Sequence, residues 1–162
     1  MPWFPMERVA DLSYFDTAAH TLRYDLDLTV EADRIWSGLV ADRPLAWCQM
    51  LSGGYTSSRP FGVGTTRTVT VGKVLTLREQ FFSWDSDTRR HAFFVEASSL
   101  PVFRSFAESY AVTPTPDGCR FTWQFAFEPR NGMRLPLAVA QPLTRRILFD
   151  GFIRDTTRHF SR

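Results

Sequence analysis

Residues 62–128, GVGTTRTVTVGKVLTLREQFFSWDSDTRRHAFFVEASSLPVFRSFAESYAVTPTPDGCRFTWQFAFE, read as five β-strands in succession: 65–71, 74–84, 90–98, 103–113 and 119–128. Turn chemistry separates them. Gly72-Lys73, Asp85-Ser86-Asp87, Pro101 and Pro116-Asp117-Gly118 each punctuate the pattern. Strands joined by such short turns pair antiparallel with their neighbours. A sheet of this size cannot leave its apolar face wet, so another element must cover it.

The flanks supply that element. On the N-terminal side, residues 21–30 alternate: Leu22, Tyr24, Leu26, Leu28 and Val30 share one face, while Arg23, Asp25, Asp27 and Thr29 share the other. That is a half-buried strand. A helix is expected over 32–41, with Asp33 in its first turn and Ile35, Trp36, Leu39 and Val40 as its apolar stripe, and Pro44 ends it. A second short helix is expected over 45–50, carrying Trp47. Gly53-Gly54 breaks the pattern, 55–58 is a short strand, and 59–64 is a Pro- and Gly-punctuated loop. On the C-terminal side a helical pattern starts at Leu135, with a kink or restart at Pro142. Leu148, Phe149, Phe152, Ile153, Thr156 and Phe160 then fall on one face; Arg145, Arg146, Arg154 and Arg158 lie largely elsewhere, and Asp150–Arg154 is an i,i+4 ion pair. This long helix is the one element large enough to cover the sheet. The fold class is therefore α+β: a curved antiparallel sheet gripping a C-terminal helix, with a cavity between them.

The chain has 162 residues, the size of one domain, expected at 21–162 behind an arm at 1–20. Pro2 and Pro5 keep the first five residues irregular, and Trp3, Phe4, Tyr14 and Phe15 dispose the arm to pack on the body or on a second subunit, which leaves a homodimer open. Hydrophobic residues are 44% and aromatics 15%, including 15 Phe and 5 Trp, enough for a large core with rings to spare for a cavity. Net charge is +2 with acids and bases interspersed, which argues against a nucleic-acid surface. No transmembrane span or secretory signal is recognisable, so a cytoplasmic protein without an integral membrane segment is expected. Cys48 and Cys119 stand in no metal-ligand spacing and read as free thiols, one disulfide being the alternative. His20, His91 and His159 are scattered, so no metal and no cofactor is expected. Gly62-Val-Gly64 precedes a strand rather than a helix, which rules out a phosphate loop.

Several local features resemble the START-like (SRPBCC) superfamily, and within it the polyketide cyclase/dehydrase-like group. They are Glu31-Ala-Asp-Arg-Ile-Trp36 with Asp42 and Trp47, Gly62-Val-Gly-Thr-Thr-Arg67, Leu77-Arg-Glu-Gln-Phe-Phe-Ser-Trp-Asp85 and Gly118-Cys-Arg-Phe-Thr-Trp123. The resemblance spans residues 21–161 and implies the helix-grip order of strand, two helices, six strands and long helix. It also implies a cavity between sheet and helix, and, from the hormone-receptor branch, that the position of Glu79 faces it.

A period of two then sorts the strands. Leu75, Leu77, Glu79, Phe81 and Ser83 share a face; the partner faces are Ala92, Phe94, Glu96 and Ser98, then Phe106, Glu108 and Tyr110. This would bring Glu79, Glu96 and Glu108 together beside Arg67. A carboxyl in an apolar cavity has a raised pKa, and a nearby Arg lowers it again. Glu79 and Glu96 with Arg67 are thus the catalytic candidates for an aldol cyclisation or dehydration, with Arg67 or Tyr110 steadying an enolate. The ligand-binding candidates are Trp36, Phe81, Phe94, Glu108, Tyr110, Trp123, Phe149 and Phe152. The Trp and Phe residues read equally well as plain core. The expected function is binding of a hydrophobic small molecule, a lipid, polyketide or aromatic metabolite. The alternatives are a cyclase or dehydratase, or an interaction module working through the arm.

Overall fold

A computed structural model describes residues 2–132 and 145–161. Seven strands form one curled antiparallel sheet: β2 (His20–Leu28), β3 (Leu51–Tyr55), β4 (Thr66–Val71), β5 (Leu75–Asp85), β6 (Arg90–Ser98), β7 (Phe103–Thr115) and β8 (Gly118–Pro129). Their spatial order is β2-β8-β7-β6-β5-β4-β3. Each neighbour from β3 to β8 follows in sequence, as short turns require. Only β2 crosses over to pair with the last strand, from His20↔Phe127 to Leu28↔Cys119. A short β1 (Phe4–Pro5) adds to the end of β6, with Phe4↔Ser98 and Pro5↔Ala97.

The helices close the concave face. α2 (Ala32–Leu39) buries Ala32, Ile35 and Leu39, one stripe at helical spacing. A π-helical turn, Arg145–Phe149, runs directly into α3 (Asp150–Phe160), which buries Phe152, Thr156 and Phe160 and leaves Arg154 and Arg158 exposed. The expected helix start at Leu135, the kink at Pro142 and the side chain of Leu148 lie outside the described residues. The expected Asp150–Arg154 pair does not form; Asp150 instead accepts a long 3.4 Å hydrogen bond from the Tyr24 hydroxyl.

Two local expectations are corrected. Residues 45–50 are turns rather than a helix, because Leu45 takes a positive φ of 56° that no right-handed helix admits. These turns are tied to α3: Trp47 Nε1 donates to Thr156 Oγ1 at 2.9 Å and the Gln49 amide to Asp155 at 3.0 Å. Gly53-Gly54 does not break the pattern but lies inside β3, and the short strand expected over 55–58 ends instead at Tyr55. A Cβ on Gly53 would sit 2.1 Å from the Thr68 carbonyl of β4, so glycine lets the two backbones meet.

The sheet's outer face carries a second core. Ala92, Phe94, Ala107 and Ala126 are covered by Val9 and Phe15 of the arm. One helical turn there, α1 (Tyr14–Thr17), packs down, and the Tyr14 hydroxyl hydrogen-bonds Ser105 at 2.8 Å. The arm thus packs on its own sheet.

Candidate functional site

A cavity lies between the concave face of the sheet and α3. Its interior of about 90 Å3 is several times the space one water needs. β4 and β5 give aliphatic walls, Val69, Val71, Leu75 and Leu77; β7, β8 and α3 give aromatic ones, Phe103, Phe106, Trp123, Phe127 and Phe152.

Arg67, Glu79 and Glu108 interrupt this apolar lining. The register pairs Arg67 directly with Glu79, so they stand side by side on one face. Arg67 Nε donates to Glu79 Oε2 at 2.6 Å, and each side chain is 2% exposed. The guanidinium also lies 4.6 Å from the Phe93 ring and 5.3 Å from Phe81. Burial disfavours its charge, but Glu79, then Tyr110 and Tyr55, more than offset this, so Arg67 stays protonated. Burial pushes the Glu79 carboxyl up, and Arg67 opposes that rise. One cation is thereby committed to one carboxylate.

Among the described residues, Glu108 has no such partner. Its Oε2 accepts from the Tyr110 hydroxyl at 2.7 Å and from Trp123 Nε1 at 3.0 Å, both neutral donors. No hydrogen bond reaches Oε1 among the described residues, and that oxygen is not sealed from the cavity. Burial, reinforced by the charge of Glu79, pushes Glu108 up to about 7, against the two hydrogen bonds and Arg67. With Oε2 occupied by two donors, the proton belongs on Oε1, facing the cavity. Burial and the Glu108 carboxylate together hold the Tyr110 phenol well above its usual range.

His91 is the polar residue that sequence reasoning missed. It is 2% exposed, and neither ring nitrogen has a partner among the described residues. Trp84, Trp36, Phe81 and Tyr110 box it in, with centroids 4.7 to 5.1 Å away. Burial, then Arg67, drives its pKa well below the usual value, so the ring is neutral. Its only signal in the sequence was a histidine inside an apolar strand. Cys48 is likewise inert, since burial pushes its thiol up to about 12. Among the described residues, no cluster of three or more His, Cys, Asp or Glu is placed to hold a metal ion, and no helix is long and apolar enough to cross a membrane.

The comparisons with known proteins agree with this architecture. A family model described as polyketide cyclase / dehydrase and lipid transport matches residues 19–156. The chain belongs to that family. An uncharacterized protein of Mycobacterium tuberculosis is 36% identical over 160 residues, covering 96% of this chain and 93% of its own length, and one of Mycobacterium bovis gives the same figures. A START superfamily protein from Mycobacterium smegmatis superposes with a TM-score of 0.70 at 10% identity, over 88% of this chain and 97% of that one. A ginseng major latex-like protein from Panax ginseng superposes at 0.63 with 16% identity, over 88% and 98%. At such identities the structural likeness speaks for the fold alone.

In this polyketide cyclase/dehydrase family member, the cavity gathers seven of the residues singled out from sequence: Arg67, Glu79, Glu108, Tyr110, Trp123, Phe149 and Phe152. Four others lie elsewhere. Phe81 is buried against the Arg67 guanidinium, behind the lining. Trp36 packs on Trp84 and His91. Phe94 belongs to the outer core under the arm. Glu96 is the extra residue of a bulge opposite Arg78 and Glu79, its carbonyl accepting from the Met6 amide at 2.9 Å. The pairing of Glu79 with Glu96 is therefore not assembled; of the three acids expected together, Glu79 and Glu108 line the cavity and Glu96 does not. On β6 the inward residues are His91, Phe93 and Val95, and on β5 a second bulge at Phe82 turns Ser83 outward and Trp84 inward.

Proposed function

We propose that this chain binds a hydrophobic small molecule between the sheet and α3, with the polar end of that molecule at Glu108. One observation carries the reading: a carboxyl oxygen, Glu108 Oε1, is left without a partner among the described residues in an otherwise apolar cavity, beside the Arg67–Glu79 ion pair, whose Arg67 Nη1 is likewise buried without a partner. Binding sites for small molecules combine a mostly apolar lining with a few placed polar groups. Membership of a family named for cyclases, dehydrases and lipid transport supports the same reading. The rings of Phe106, Trp123, Phe127 and Phe152 favour a flat polyketide or aromatic body over a plain acyl chain.

The test is titration with the uncharged dye Nile red, in the wild type and in Val69→Trp, which fills the cavity from β4. Saturable binding is expected in the wild type, weakened about tenfold or more in the filled variant, with circular dichroism unchanged. Equal binding by both variants would place the dye outside the cavity and sink the reading.

A second reading, a cyclase- or dehydratase-type enzyme, is favoured by one feature. Two nearby carboxyls sit in unlike environments: Glu79 is held by Arg67, while Glu108 is pushed up to about 7 with its proton facing the cavity. Such a split suits proton donation and return. With a turnover assay in hand, Glu108→Gln should then lower the rate far more than the affinity.

A further inference from the structure

We propose that the ligand carries a basic nitrogen and that Glu108 is its counter-ion. The inference rests on the cavity being a ligand site, and it follows from a count of charges. Arg67 is committed to Glu79 at 2.6 Å, both side chains being 2% exposed. Glu108 lines the same cavity and, among the described residues, receives hydrogen bonds only from neutral donors, the Tyr110 hydroxyl and the Trp123 indole, both on Oε2. Two other basic side chains line the cavity. Arg145 is exposed, where water screens its charge, and His20 is stacked on Phe127 at 5.1 Å. Among the described residues, and setting aside exposed Arg145 and half-buried His20, the interior therefore holds one more acid than base.

An ionised carboxylate in apolar surroundings is costly unless it is paired. An ammonium group reaching Oε1 supplies the missing charge and a charge-assisted hydrogen bond together. The walls suit it as well, since Trp123, Tyr110, Phe106 and Phe152 line the cavity and ring faces attract cations. A neutral hydroxyl would leave the imbalance in place. A carboxylate seated at the same point would double it. The titratable groups of the described residues that act on Glu108 are Glu79 on β5 and Arg67 on β4, across the concave face, Tyr110 on its own strand, and Cys48 from the turns before β3. None of them provides a second cation.

The test is calorimetric titration of the full chain with three ligands of one shape: phenylbutylamine, phenylbutanol and phenylbutyrate. At about pH 8.5 Glu108 is ionised and an alkylamine is still protonated, so the amine is expected to bind about tenfold or more tighter than the alcohol, and the acid weakest. That preference should fade as the pH falls through the Glu108 titration at about 7. Glu108→Gln should abolish the preference, so that the amine and the alcohol bind the variant alike. Equal binding of amine and alcohol by the wild type overturns the proposal, whether or not the variant folds. So does a preference that survives in Glu108→Gln. If Nile red and the alcohol bind while the amine gains nothing, only this inference fails. If none of these ligands nor the dye binds, the ligand-cavity reading fails with it.

Discussion

Glu108→Gln should stabilise the unliganded protein at alkaline pH and leave it unchanged at acid pH. In the folded chain burial, with Glu79 behind it, raises the Glu108 carboxyl from 4.5 to about 7. A carboxyl with a raised folded pKa holds its proton more tightly folded than unfolded. Its contribution is therefore whole below the unfolded value and is lost as the pH climbs through the folded one. The gap of about 2.5 units, at about 1.36 kcal/mol per unit, sets a ceiling of about 3 kcal/mol. Oε1 opens on the cavity, where water shields part of the charge, so about 1–3 kcal/mol is the expected range. Glutamine keeps an oxygen to accept from Tyr110 and Trp123 but never ionises. Urea unfolding followed by tryptophan fluorescence, at about pH 4, below the unfolded value, and at about pH 8.5, with the m-value checked, reads the difference directly. The variant should match the wild type at the lower pH and exceed it at the higher. A difference that is the same at both values, or a variant less stable at alkaline pH, would refute the reasoning.

Three further outcomes are expected. Glu79→Gln strands the Arg67 charge in the core and should cost about 3–5 kcal/mol in urea unfolding, whereas Arg67→Met with Glu79→Leu should recover most of that loss; a double variant as unstable as the single one would show that the pair is not the source. Thr156→Val removes the acceptor of the Trp47 indole and should cost about 1–3 kcal/mol by thermal melting, and an unchanged melting temperature would mean that the 2.9 Å bond stabilises nothing. Phe15→Ala empties the outer core and should cost about 3 kcal/mol or more while Nile red binding stays as in the wild type, because Phe15 and the cavity lie on opposite faces of the sheet; lost dye binding in a folded variant would break that separation.

How much of this was legible in the sequence depended on contrast between faces. β2 has one wet face, so its alternation located it within two residues and set its phase. On β5 alternation grouped Glu79 with Leu77 and Phe81, Arg78 being exposed between buried neighbours, while the expectation that this face lines the cavity came from the family resemblance. β6 has no such contrast. His91, Ala92, Phe93, Phe94 and Val95 are all buried, because the helices cover one face and the arm the other. Both phases then look alike, and Phe94 and Glu96 were assigned to the wrong face. The bulges at Glu96 and Phe82 shift the phase again within the strand, which no fixed period can follow. Residues 45–50 have a composition compatible with a helix. Their turns are held by a bond between Trp47 and Thr156, 109 residues apart, which no local pattern carries.

The sequence by itself determined the run of strands, the α+β class, the apolar face of α3 and the family, because turn chemistry, alternation and helical spacing are written in consecutive residues. The tertiary structure alone decided which acids share the cavity. Glu79 meets Arg67 through the β4–β5 register, Glu108 meets Trp123 across β7 and β8, and Glu96 is turned out by a bulge. Those outcomes depend on how distant segments pair, and a shift of one residue in pairing exchanges the inside of a strand for its outside.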